Sequence, residues 1–317
     1  MVAPGDTMGG MARAERVGVR SSPLGAAAVL SAVFIWAFTN TLIKLSPLPA
    51  LTFALHRLWL GAALLVVVLM ASGRRLDRRI VRASAPGGAL LGVEIVFFFS
   101  AVKHTSIADV AIISALQPAL ILGVAGPLFG ERVTRREIGW TLVSLLGVGI
   151  VTIGSHGSPV WSLEGDLLAF GSVLAWTAYF LVSKHARATV PTFEYMTVVF
   201  VVAAVVLTPI AVVSGQPLGG IHARDWLLLV VFVIGASAGH LLVTWAHSSV
   251  DVSVSSLLML AQPVVSALAA LAILGERLTP VTVLGGLVVL GSLAAIVTRA
   301  AKIGEARELE PPDLPQV

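Results

Sequence analysis

Residues 117–134 read QPALILGVAGPLFGERVT, and residues 262–279 read QPVVSALAALAILGERLT. Gln-Pro opens each stretch, an apolar run follows, and Gly-Glu-Arg-x-Thr closes it, all at an offset of 145 residues. Other matches keep the same order along the chain. Trp36 and Lys44 are eight apart, as are Trp176 and Lys184, and His104 answers to His247 at an offset of 143. Chance supplies one such match, but an ordered set of them marks a duplication. The chain is two copies of one unit.

That unit belongs in a membrane. Of 317 residues, 57% are hydrophobic and 12% charged, and the mean hydropathy is +0.94. An average soluble domain carries roughly 25% charged residues, so this chain lacks the charge to cover a soluble surface. A helix crosses a hydrocarbon core of about 30 Å with about 20 apolar residues. Ten such runs are predicted, at 24–43, 50–70, 86–102, 108–128, 138–155, 165–183, 193–213, 225–246, 253–273 and 281–298. Backbone groups in lipid must be satisfied within each segment, which makes the runs helices. The expected fold is an all-α integral membrane protein of ten transmembrane helices. Five spans per copy is an odd number, so the two repeats enter the membrane in opposite directions. Such inverted-topology repeats are a transporter architecture with the solute site near the midplane. The expected organisation is an N-terminal tail over 1–22, repeats over 23–157 and 158–299, and a C-terminal tail over 300–317. The arginines ahead of span 1 resemble a signal peptide, but the run is too long for one and reads as an uncleaved span.

The net charge of +4 and pI near 10.0 look at first like a nucleic-acid signal. Placing the N-terminus in the cytoplasm puts sixteen of the 21 Lys and Arg on that side, with Arg74, Arg75, Arg78, Arg79 and Arg82 as the densest cluster. Only Lys44, Lys103, Arg224 and Arg277 fall on the other side. The bias fits both termini in the cytoplasm of a multi-pass cell-membrane protein. It explains the basicity as topology, so no nucleic-acid partner is expected. The partners expected are the lipid bilayer and a small-molecule solute.

On these features the chain resembles the drug/metabolite transporter superfamily, in particular its ten-span EamA-type members, over residues 24–298. The residues that carry the resemblance are the Gly-Glu-Arg-x-Thr turns, the Gly-rich spans 5 and 10 (Gly139, Gly147, Gly149; Gly285, Gly286, Gly291) and Arg57 in span 2. The resemblance implies movement of small solutes, often export of amino acids or other metabolites, without fixing the substrate.

At about 1.5 Å per residue, Trp36 and Trp176 lie about 18 and 16 Å into spans 1 and 6. Trp usually sits at membrane interfaces, so two central Trp in equivalent positions read as the lining of a shared cavity, or as ordinary helix packing. Asn40 and Tyr179 add polar groups beside them. Pro118 and Pro263 lie about 15 Å into spans 4 and 9 by the same rise, where a mid-helix Pro frees a carbonyl. They are candidate hinges for alternating access, or static kinks, and Gln117 and Gln262 are candidate solute contacts. Arg57 and Glu94 are the charged residues well inside spans, a costly placement that usually marks a protein interior. Two readings stand: a structural ion pair joining spans 2 and 3, or a site in which Arg57 holds a carboxylate and Glu94 contacts an amine or carries a proton. His240 reads as a hydrogen-bonded core residue or a proton relay. Thr134 with Glu137 forms a capping box for span 5, and Thr279-Pro280 an N-cap for span 10. The small residues of spans 5 and 10 allow close helix contact, within one chain or between two.

The chain has no Cys, which excludes disulfides, thiol catalysis and Cys-based metal sites. It carries no His-Glu-x-x-His, P-loop or Gly-x-Ser-x-Gly motif. No cofactor, metal or catalytic residue is expected. The competing class is an intramembrane enzyme acting on a lipid or isoprenoid.

Overall fold

A computed structural model describes residues 22–43, 46–105, 107–130, 134–156, 162–275 and 278–308. The side chains at 40–43, 102–103, 107–109, 111, 155–156, 270, 274 and 296–308 lie outside that description, as do Glu131, Arg132, Glu276 and Arg277. Among the described residues the α-helices are α1 Pro23–Ile43, α2 Ala50–Ala71, α3 Arg78–His104, α4 Ile107–Ser114, α5 Gln117–Phe129, α6 Arg135–His156, α7 Leu163–Ala186, α8 Thr192–Val213, α9 Ala223–Ala246, α10 Val252–Leu258, α11 Gln262–Leu274 and α12 Pro280–Glu308. By length and composition, eight stretches can each cross a membrane, and the apolar stretches Pro23–Thr39 and Pro280–Ala295 complete the ten. Large apolar side chains such as Leu142, Leu146, Leu284 and Leu287 face outward, where lipid rather than water accommodates them.

Spans 4 and 9 depart from the expected bends. Each is two helices, broken just ahead of Gln-Pro: α4 and α5 meet at residues 115–116, and α10 and α11 are joined by a 3₁₀ turn over Met259–Ala261. Pro clashes with the preceding turn inside a helix but costs no donor in the first turn of a new one. Equivalent glycines, Gly130 and Gly275, end α5 and follow α11 in the left-handed region at φ +68° and +69°, a conformation a side chain would strain. Two ends also run past their predicted limits. Asp77 caps α3 by accepting from the Ile80 amide at 2.7 Å, so the helix begins in the arginine cluster, and α12 continues to Glu308.

The predicted capping box of α6 is formed. The Thr134 amide donates to Glu137 Oε2 at 2.6 Å, and the Glu137 amide donates to Thr134 Oγ1 at 3.3 Å. Thr279 caps α12 through the Thr282 amide at 3.1 Å. Thr134→Ala is expected to lower stability by about 1 kcal/mol, read as a lower unfolding midpoint in detergent. An unchanged midpoint would remove the box from the stabilising contacts.

The helices pair across the two repeats. α2 packs on α8 and α6 on α12, each helix against its own counterpart, while α3 packs on α7 and α9 on α1. The question left open over spans 5 and 10 is answered inside one chain: a Cβ added to Gly147 would meet Val289 at 2.8 Å, and one on Gly285 would meet the Val151 nitrogen at 2.6 Å. The Ser144 and Ser292 hydroxyls bond across the same seam. α3 meets α8 by the same device, since a Cβ on Gly88 would lie 2.6 Å from Val202. Without a hydrophobic drive between helices in lipid, such close backbone approach is what holds them.

Candidate functional site

The cross-repeat pairing of α1 with α9 and α3 with α7 brings the central tryptophans together. Trp36 and Trp176 meet edge to face with ring centres 6.1 Å apart. His240 of α9 lies against both, with its ring centre 4.9 Å from that of Trp36 and 6.1 Å from that of Trp176. Tyr179 at 6.4 Å and Phe200 of α8 at 5.6 Å complete a cage of rings around the imidazole. The cage depends on a local absence of bulk: the Trp36 indole lies where a side chain on Gly239 would be. Trp36 also donates from Nε1 to the Ala236 carbonyl at 3.3 Å. This bond fixes the first repeat's Trp to the second repeat's α9.

The two tryptophans differ in access. Trp36 is buried, whereas Trp176 is half-buried and supported by Tyr179 at 5.2 Å and Phe180 at 5.3 Å. Trp176 therefore keeps part of its surface open. Tyr179 is buried, with its hydroxyl turned to the Met196 sulfur at 3.8 Å. His240 makes no hydrogen bond among the described residues, so the reading of a hydrogen-bonded core histidine gives way to one of a ring packed among rings.

Arg57 and Glu94 do not form a salt bridge with each other among the described residues. The ion pair between spans 2 and 3 is replaced by two contacts between repeats. Glu94 of α3 accepts from Ser172 Oγ of α7 at 3.1 Å. The Arg57 guanidinium of α2 lies 5.3 Å over the Phe232 ring of α9, a cation–π arrangement. The two charges still act on one another, and that of Arg57 reaches His240. Depth along each helix put the two residues about 8 Å apart in height, within reach of a long Arg side chain. It could not give direction around the axis, and each side chain turns toward the opposite repeat.

Gln117 opens α5 and is only 4% exposed, yet its side-chain nitrogen has no hydrogen-bond partner among the described residues. Gln262 opens α11 and is half-buried. Pro118 and Pro263 follow them at the breaks of spans 4 and 9. The Asn40 side chain lies outside the described residues. Thr177 and Ser237 add buried hydroxyls on α7 and α9 that have no partner among the described residues. Phe200 and Ser172 were missed in the sequence. The repeat could have pointed to Phe200, which stands 143 residues after Arg57, the offset that relates the paired histidines. Nothing in the pattern marks Ser172. Among the described residues, no group of three or more His, Asp or Glu is placed to hold a metal ion.

Two inverted five-helix units, with aromatic and charged groups of both gathered where they meet, define a multi-pass membrane transporter. The comparisons give the family: the EamA-like transporter family matches residues 23–153 and 163–298, and the chain belongs to it. The chain is 28% identical to the uncharacterized transporter YwfM of Bacillus subtilis, over 89% of this chain and 97% of that one. It is also 28% identical to the aromatic amino acid exporter YddG of Ancylobacter novellus, over 57% of this chain and 63% of that one. A solved crystal structure with 21% identity superposes at a TM-score of 0.76, covering 89% of this chain and 99% of the other, and shares the fold. The intramembrane-enzyme reading is set aside: the chain is a transporter of small molecules.

Proposed function

We propose that the protein exports a small amino-acid-like metabolite across the cell membrane by alternating access, with the solute bound at the midplane between repeats 23–157 and 158–299. Both termini lie in the cytoplasm. The observation that carries this reading is the ring cage shared by the two repeats, with one cationic and one anionic side chain in its surroundings. A zwitterionic solute complements it: Arg57 takes the carboxylate, Glu94 takes the amine, and Trp36 and Trp176 take the side chain. Asn40, Gln117, Tyr179 and Gln262 are the remaining contacts proposed. The unpartnered Gln117 amide, which is costly to leave buried and unpaired, supports its place among them. Likeness to an aromatic amino acid exporter supports the solute class. The Gln-Pro breaks, placed alike in both repeats, are the proposed hinges.

Purified protein in liposomes is expected to take up L-phenylalanine saturably, and a flat response across a panel of amino acids would sink the solute class. Glu94, together with His240, is also the proposed site of proton coupling. Glu94→Gln is expected to abolish the stimulation of transport by an imposed pH gradient, and an unchanged stimulation would remove Glu94 from that role.

A further inference from the structure

The cage continues toward the end of the molecule where α1 starts and α7 and α9 finish. On α7, Trp176, Phe180, Lys184 and Arg187 follow at intervals of four, four and three, which places them on one face. On α9, His240, Thr244 and His247 do the same. The two faces meet through side chains. Below the Trp176–His240 contact, the Phe180 ring lies 4.8 Å from that of His247. Arg187 Nε donates to the Thr244 carbonyl at 3.1 Å, and its Nη1 donates to the Val190 carbonyl. Lys184 Nζ bonds the Val250 carbonyl. Phe180 is fully buried and touches both Trp176 and His247, so a single ring separates the cage from the histidine.

His247 is the anomaly. It is 1% exposed, and neither ring nitrogen has a hydrogen-bond partner among the described residues. An unpaired buried polar atom costs about 1–3 kcal/mol, and this ring carries two. The charges of Lys184 and Arg187 both act on it. Arg187 has no carboxylate within ion-pair distance among the described residues. Its inverted counterpart is in the opposite condition: the His104 side chain is 46% exposed and lies 3.6 Å from Glu164. Equivalent histidines are thus buried in one repeat and exposed in the other.

We propose that His247 and Arg187 form a loading subsite for the carboxylate of the solute, sealed from the cage by Phe180 in the state described here. An arginine fork matches a carboxylate, and the histidine nitrogens gain the partner that the sealed state denies them. The subsite rests on the proposed transport of an amino-acid-like solute. For an exporter with its termini in the cytoplasm, it is the first contact the solute makes.

The chain has no cysteine, so single-cysteine labelling tests the seal directly. Thr244→Cys, or Ala246→Cys where the first fails to fold, is expected to react slowly with a water-soluble maleimide from the termini side. Adding Phe180→Ala should speed the reaction at least tenfold, and an unchanged rate overturns the seal. In that unsealed background L-phenylalanine should slow labelling, and Arg187→Gln should abolish the protection. In inside-out membrane vesicles, Arg187→Gln should raise the half-saturating concentration of L-phenylalanine at least tenfold. The maximal rate, and uptake of phenethylamine, which lacks the carboxylate, should stay within twofold, and Arg187→Lys should recover part of the loss. Equal losses for both compounds would make Arg187 merely structural and overturn the subsite. Transport of L-phenylalanine without dependence on Arg187 overturns the subsite and leaves the transport reading standing. Failure of L-phenylalanine both to move and to protect overturns the subsite together with the solute class.

Discussion

Trp176→Ala is expected to raise the half-saturating solute concentration about 30-fold while leaving the unfolding midpoint nearly unchanged. The reason is the partial exposure of this ring. Trp176 is half-buried and packed from behind by Tyr179 and Phe180, so its removal takes away a solute contact more than a structural one. Truncating a Trp at the centre of a binding site commonly costs about 2 kcal/mol or more, and each 1.4 kcal/mol is about tenfold in affinity. The symmetry-related Trp36→Ala should behave differently. That ring is buried, bonded to the Ala236 carbonyl and seated on Gly239. Its loss opens a cavity worth about 3–5 kcal/mol and lowers both transport and stability. Saturation curves in liposomes together with thermal unfolding in detergent separate the two. Equal destabilisation by both variants would refute this division of roles.

Gly285→Leu is expected to prevent accumulation of folded protein. A Cβ there would already stand 2.6 Å from the Val151 nitrogen and 2.8 Å from the Gly147 carbonyl oxygen. These are backbone atoms that cannot swing aside, so α6 and α12 must separate. Overpacking costs about 1–3 kcal/mol even where side chains can adjust, and here the whole helix contact is lost. Gly291→Leu on the same helix is the control, because nothing lies within 4 Å of its Cβ position. It should be neutral or slightly stabilising, since Leu is the better helix former by about 0.8 kcal/mol. The yield of monodisperse protein on size exclusion reads both, and a normal yield for Gly285→Leu would show that the α6–α12 contact is dispensable.

Much of this was legible in the sequence because its signals are local. Ten apolar runs, the repeated Gln-Pro and Gly-Glu-Arg-x-Thr, and Thr134 three residues before Glu137 depend on spacing along the chain, and helix geometry turns spacing into structure. The paired central tryptophans could be read as facing one cavity because the repeat places them at equal depth. The misses are of another kind. The breaks at residues 115–116 and 259–261 were expected as bends, because a Pro in an apolar run does not reveal whether the helix bends or restarts. One reading of Arg57 and Glu94 made them partners because a height difference of about 8 Å lies within reach of a long Arg, and depth says nothing about direction around a helix axis.

By itself the sequence determined the helical membrane fold, the duplication and its inversion, since runs of about 20 apolar residues satisfy their backbone in lipid only as helices and five is odd. Only the tertiary structure decided which groups meet. His240 acquires its cage from three other helices, Glu94 finds Ser172 and Arg57 finds Phe232 across the repeat boundary, and His247 is buried where His104 is exposed. These contacts depend on the rotation and close approach of helices far apart in the chain. They are set by where glycines let backbones touch, which spacing along a single helix does not encode.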